Sequence, residues 1–282
     1  MKFDRAAVQA AVRRACELDV KALKPGNVSV DAPGCGMTAA DFFASAEAIA
    51  EPITLPGLTV GERIYRAIEA THAVVSCNTN LGIVLLLAPL IQAAESIREV
   101  TSLQHALKNA LEELTIGDAE WAYRAIRLAK PGGMATSAKH DIAETPRVTL
   151  YQAMREAVNH DQIARLYVTG YHTLFELGLP VWRQAMTCHG SSEWAATAVF
   201  LNLLAAEPDS LITRKFGRVK SEEVSAAAKP LCVALNTAHE PRVIRPDLIV
   251  WDTTLKAHGL NPGTTADMTV ATIFLADLQD MR

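Results

Sequence analysis

Between residues 4 and 20, Val8, Ala11, Val12, Ala15 and Leu18 recur at helical spacing while Arg13, Arg14 and Glu17 fall elsewhere, which predicts an amphipathic first helix. It stops before Pro25-Gly26. Asp31 to Met37 is turn-rich, Thr38 can cap a helix through "AADFFASAEAIA", and Pro52 ends it. After a second Pro-Gly turn, Ile64, Ile68, Thr71 and Val75 share one face of a helix, and Glu62, Glu69, His72 and Ser76 lie on a polar one. Leu81 to Ala94 is hydrophobic all round, so it predicts a buried central helix with Asn80 as its N-cap.

Helical patterns continue at 101–115, 117–129, 147–158, 160–178, 190–205, 220–236 and 266–279. Strand-like alternation is scarce: the best run, "RVIRPDLIV", contains Pro246. The pattern predicts an all-α fold, a single compact multi-helix domain over 1–282 without internal repeats. The segment 129–147 is the longest stretch without a pattern and reads as a mobile lid or binding loop.

Composition narrows the class. Half the residues are apolar, and 27 basic against 31 acidic residues give a formal charge of −4, so nothing draws the whole chain to nucleic acid or anionic lipid. Five scattered cysteines without a C-x-x-C pair argue against a disulfide framework or structural zinc and fit a reducing cytoplasm. The longest apolar run is too short to span a membrane and contains Pro89. Ala-rich helix faces make a homodimer plausible.

Three interruptions carry the candidate chemistry: "KALKPGNVSV" at 21–30, "SCNTNLGIVLLL" at 76–87 and "GLNPGTTADMTV" at 259–270. Each places amide, hydroxyl or glycine residues where one helix ends and another begins, and a helix start offers unpaired N–H groups and partial positive charge to a phosphate. Ordinary caps and turns are the plainer reading of each break alone. The cluster Arg214, Lys215, Arg218 and Lys220 reads either as a solvated turn or as a phosphate clamp. No Walker or dinucleotide fingerprint is present, and "TCHGSSEW" lacks the elbow of a hydrolase. Asp41, Glu62, Glu69, Asp209 and Asp267 are acids that could meet Mg²⁺, which needs only one or two carboxylates beside waters and phosphates.

Taken in order, "KPGNVS", "DFFASAEAI", "AIEATHAVVSCNTNLGIVLLLAPL", "DSLITRKFG" and "NPGTTADMTVATIFL" resemble the blocks of the triphosphoribosyl-dephospho-CoA synthase family over residues 5 to 280. The resemblance implies an all-α, Mg²⁺-dependent enzyme whose helix-break loops form a nucleotide site. It would join the 5-triphosphoribosyl group of ATP to 3′-dephospho-CoA and release adenine. It implies Glu69, Asp267 and Asn78 as catalytic residues, and Asp41, Glu69 and Asp209 as metal ligands. Lys24, Gly26, Asn27, Asn80, Arg214, Lys215, Asn261, Gly263 and Thr264 would bind substrate. The second block reads "NTNLG" where citrate lyase enzymes have Asn-Thr-His-Lys-Gly, and a His-Lys pair after the first block is absent. In this the chain looks closer to a branch of methylotrophs and methanogens. Two alternatives follow: a phosphoribosyl or pterin step in tetrahydromethanopterin biosynthesis, or a non-catalytic nucleotide-binding module.

Overall fold

A computed structural model describes residues 4–34, 36–97, 102–132 and 143–281. Among them run fourteen α-helices and no strand, with isolated bridges only at Ser29/Ala32 and Gly34/Met37. This is the all-α fold that the periodicity predicts. Residues 133–142, most of the expected lid, lie outside the described residues. The chain forms two compact units, one of Met1–Arg14, Asp41–His172 and Asp277–Arg282, the other of Ala15–Ala40 and Thr173–Ala276. The division runs within helices α1 (Arg5–Lys21), α2 (Ala39–Ala50) and α14 (Gly263–Asp280).

In the first unit α3 (Val60–Val74) starts on a capping box, with Thr59 and Glu62 satisfying each other's backbone N–H groups. It buries Ile64, Ala67, Ile68 and Thr71 and packs on α6 (Ile116–Ala129). Gly61 makes this approach possible: a Cβ there would stand 2.5 Å from the Asp118 Cα and carbonyl oxygen. Asp118 Oδ1 also accepts from the Gly61 N–H at 2.8 Å, and its Oδ2 caps α6 through Thr115. Arg63 is wholly buried and spreads its guanidinium over Ile53 O, Leu55 O, Gln92 Oε1 and the Glu95 carboxylate.

Helix α4 (Leu81–Ser96) is buried almost throughout, as its apolar pattern predicts. Pro89 lies inside it and cannot donate to Leu85 O, one turn back. Tyr167 on α8 (Gln162–Thr169) supplies the missing donor, its Oη 2.6 Å from Leu85 O, and Tyr171 bonds Leu86 O at 3.0 Å. Both rings are fully buried, and burial pushes both phenols upward. Helices α5 (Leu103–Glu112) and α7 (Leu150–Ala157) complete the unit, packing on α4 and α8 respectively.

In the second unit α10 (Ser192–Ala206), apolar on nearly every side, is packed between α9 (Leu179–His189) and α12 (Arg218–Thr237). The "RVIRPDLIV" run is a short 3₁₀ turn, Pro241–Ile244, followed by α13 (Arg245–Ala257). Pro246 sits in the first turn of that helix, where its missing N–H is harmless, so the residue that spoils a strand here starts a helix. The single helix expected over 160–178 is divided. Gly170 and Tyr171 both take left-handed conformations after α8, and a π turn, Leu174–Gly178, leads into α9. No single helix among the described residues is long and apolar enough to cross a membrane.

Candidate active site

The first and third interruptions meet in the second unit. Gly26 has φ +83°, and a Cβ on it would lie 2.6 Å from Leu260 O, so the Pro25-Gly26 turn needs glycine for conformation and for contact. Its N–H donates to Asp252 Oδ1 at 2.8 Å. The other Asp252 oxygen takes Lys256 Nζ at 2.9 Å, and Lys256 reaches Ala32 O. The turn between helices is thus tied to α13 by one carboxylate.

Lys24 is 0% exposed. Its ammonium lies 2.8 Å from Asp19 Oδ1, an ion pair short of an aligned hydrogen bond, and donates to Asn27 Oδ1 at 2.7 Å. Phe200 stands beneath it, 6.0 Å to the ring centroid. Burial pushes the Asp19 carboxyl upward and the neighbouring ammonium opposes this. Asn27 Nδ2 in turn donates to Asn261 Oδ1 at 2.9 Å. The lysine expected to face a phosphate is therefore enclosed by protein. A buried ammonium costs too much unless it is compensated, and here Asp19 balances its charge while Asn27 accepts a hydrogen bond from it.

Asp209, expected as a magnesium ligand, is likewise enclosed and caps two helices. Its Oδ1 accepts from Ile212 N at the start of α11 (Ser210–Phe216), and its Oδ2 accepts from Thr265 N and Thr265 Oγ1, both at 2.8 Å. Burial raises its pKa, opposed by the amides of Thr265, Ile212 and Leu211. Ser210 Oγ and Thr264 Oγ1 are 3.1 Å apart. Asp267, one turn into α14, is half-buried. Arg214 and Lys215 occupy the last turn of α11 and are exposed. Gly263 opens α14 where a Cβ would meet Leu211 Cδ2 at 2.7 Å.

The second interruption belongs to the first unit. Asn80 occupies the N-cap position of α4, as expected, but its side chain makes no capping bond: it pairs with Thr71 Oγ1, and Asn78 Oδ1 accepts from the Leu81 N–H at 3.1 Å. Between them Thr79 shares a 2.6 Å hydrogen bond with Ser45, whose hydroxyl also contacts Asp41 O. Asp41 is half-buried at the start of α2, and burial, then its charge, pushes the nearby Cys77 thiol upward. Glu69 is exposed on α3 and hydrogen-bonds Tyr65, whose phenol is raised first by burial and then by this carboxylate. Tyr65 packs on Trp121 with ring centroids 5.1 Å apart, and the Arg124 guanidinium lies 4.8 Å over the Trp121 ring.

Among the described residues no group of three His, Cys, Asp or Glu side chains could hold a metal. Asp41 and Glu69 remain as carboxylates a nucleotide-borne ion could use. Sequence reasoning missed Asp19, Asp252, Ser45 and Thr265. Asp19 precedes Lys24 by five residues, a separation that signals no pairing until α1 ends and the chain turns back.

A family model described as ATP:dephospho-CoA triphosphoribosyl transferase matches residues 5–282. No curated protein matches the chain. Among solved structures, a triphosphoribosyl-dephospho-CoA synthase candidate from Archaeoglobus fulgidus superposes with TM-score 0.63 at 25% identity, over 86% of this chain and 99% of that one.

Proposed function

This chain belongs to the ATP:dephospho-CoA triphosphoribosyl transferase family, and on that premise we propose that it transfers the 5-triphosphoribosyl group of ATP to 3′-dephospho-CoA and releases adenine. The observation that carries the reading on the structural side is the bond from Asn27 to Asn261. It joins the first and last sequence blocks at the start of α14, which has the donors and partial charge that suit a phosphorylated substrate. Neither the pterin step nor the non-catalytic module is favoured by the comparisons.

In the reaction the bond from the ribose C1′ of ATP to adenine breaks while C1′ bonds to the acceptor 2′-hydroxyl oxygen. The hydroxyl proton passes to a base and, in balance, a proton reaches the departing adenine. The triphosphate stays intact. The transition state has oxocarbenium character, so carboxylates near C1′ and near the hydroxyl are the groups the chemistry asks for. Glu69 and Asp267 are assigned these roles, with Asn78 as a hydrogen-bonding partner. Lys24, Gly26 and Asn27 act by shaping the helix start, while Asn261, Gly263 and Thr264 form it. Asn80 steadies the second break, and Arg214 and Lys215 offer exposed charge to phosphoryl oxygens.

Mg²⁺ bound with the triphosphate would neutralise phosphoryl charge. Asp41 and Glu69 are the residues that fit it, since each keeps solvent access. Free cysteines at 16, 77, 188 and 232 accord with a cytoplasmic enzyme. A homodimer without nucleic-acid partners completes the reading. Adenine release from ATP and dephospho-CoA, compared between the wild type and Glu69→Gln, tests it. Turnover in the wild type with a loss of about 100-fold in the variant is expected. Equal rates would remove Glu69 from the mechanism, and no adenine from folded wild type would remove the reaction.

A further inference from the structure

We propose that the buried hydroxyls of Ser45 and Thr79 form a clamp that holds the second helix break against the first turn of α2, so that Asp41 and Asn78 meet one Mg²⁺-bound phosphoryl group together. The inference rests on the transferase reading for its ligand and adds two positioning residues to it.

One hydroxyl makes the junction. Ser45 has a single side-chain proton and gives it to Asp41 O at 2.6 Å, so in its 2.6 Å contact with Thr79 Oγ1 it is the acceptor and Thr79 the donor. The same oxygen thus touches the backbone of Asp41 and the side chain of the residue after Asn78. The break is held from its other side by α3, where Asn80 Nδ2 donates to Thr71 Oγ1 at 2.9 Å. All of these residues lie in the first unit. Ser45, Thr79, Asn80 and Thr71 are 1, 6, 4 and 4% exposed, whereas Asp41 and Asn78 are half-buried. The network is therefore interior, and the two side chains it carries keep access to a ligand. Asn78 Oδ1 is spent on the Leu81 N–H, which leaves the amide N–H groups as what Asn78 can offer. Asp41 offers a carboxylate. A ligand for the cation beside donors for a phosphoryl oxygen is the pairing that a metal-bound phosphate asks for.

Stability does not account for the hydroxyl pair. A buried bond between two hydroxyls adds little over an apolar pair of the same shape, because both give up water to make it. What a satisfied buried network adds is a single fixed arrangement. Here that arrangement is the placement of the break on α2, and a shift of about 1 Å in such a placement can cost on the order of 100-fold in rate. Thr79→Val keeps the shape and strands no donor, since Ser45 still has Asp41 O. Thr79→Ser keeps the donor that the clamp needs.

Calorimetry on the full chain measures ATP affinity with and without Mg²⁺, adenine release gives kcat and KM, and thermal midpoints report folding. Thr79→Val is expected to keep its thermal midpoint within a few degrees while kcat falls about 10- to 100-fold and the gain in ATP affinity that Mg²⁺ brings falls about 10-fold. Thr79→Ser should restore both. Asp41→Asn should lose the same Mg²⁺ gain, and adding Thr79→Val to it should remove no more, because Thr79 acts on the ion through Asp41. A merely structural threonine would instead lower the midpoint and leave the Mg²⁺ gain in place. If Thr79→Val fails to fold, Ser45→Ala, which removes the acceptor, is measured in its stead. A folded variant with the wild-type Mg²⁺ gain, a wild type without such a gain, or losses that add in full to those of Asp41→Asn overturn the clamp. A wild type whose Mg²⁺ gain depends on Thr79 but which releases no adenine keeps the clamp and refutes the transferase reading; one that releases adenine with a Mg²⁺ gain untouched by Thr79→Val does the reverse.

Discussion

Replacing Tyr167 with phenylalanine removes one oxygen from the centre of the first unit and should cost more than its chemistry suggests. Leu85 O has lost its helical donor to Pro89, and the Tyr167 hydroxyl, 2.6 Å away in a fully buried position, takes its place. Without it a carbonyl is left unpaired in a dry interior, at a cost of about 1–3 kcal/mol. Tyr171→Phe is the internal control. Its hydroxyl bonds Leu86 O at 3.0 Å, but Leu90, four residues on, still has an N–H, so this change should cost only about 0.5–1.5 kcal/mol. Pro89→Ala restores the missing donor, so Tyr167→Phe should become cheaper by about 1 kcal/mol in that background. Urea unfolding of the wild type, the three single variants and the Tyr167→Phe/Pro89→Ala double variant, with slopes that do not change, gives these differences from the midpoints. Equal costs for the two tyrosines, or no coupling to position 89, would refute the argument that Tyr167 compensates for the proline.

Two further outcomes follow from close contacts. Gly61→Ala should destabilise by about 1–3 kcal/mol, because its Cβ would lie 2.5 Å from the Asp118 backbone, although a glycine-to-alanine change within a helix ordinarily stabilises by about 0.5–1 kcal/mol; a rise in the urea midpoint would contradict the packing of α3 on α6. Asp209→Asn should also destabilise, since one of its atoms becomes a donor facing the amide of Ile212 or Thr265. Because burial raises the Asp209 pKa above its unfolded value, the protonation term favours the fold fully below that unfolded value and is lost as pH rises through the folded one. The stability of the wild type relative to Asp209→Asn should therefore grow as pH is lowered from neutrality towards the ordinary carboxylate range, and a gap that shrinks on acidification would show that Asp209 is not held as described.

The helices were legible wherever one face or every face was apolar, as in α3, α4 and α10. Element divisions decided by a single backbone angle were not. Tyr171 takes a left-handed conformation that its residue type does not advertise, and Pro246 can end a strand or begin a helix with equal sequence logic. At the candidate site the block residues were legible as a set, but their roles were not. Lys24 and Asp209 carry charges that suggest ligands, whereas their burial makes them internal anchors. Their partners, Asp19 and Thr265, lie at separations of 5 and 56 residues with no periodic relation that a linear reading could detect. The bond to the α4 amide from Asn78 rather than from Asn80 at the N-cap position has the same origin: which of the two asparagines makes it depends on the position of Thr71, nine residues before Asn80.

The most direct measurement is the fate of ATP labelled in its ribose when the protein is incubated with 3′-dephospho-CoA and Mg²⁺. The account predicts free adenine in equal amount to a dephospho-CoA adduct that carries the labelled ribose and all three phosphates. Adenine without that adduct, an adduct lacking the triphosphate, or unchanged ATP with folded protein would contradict it.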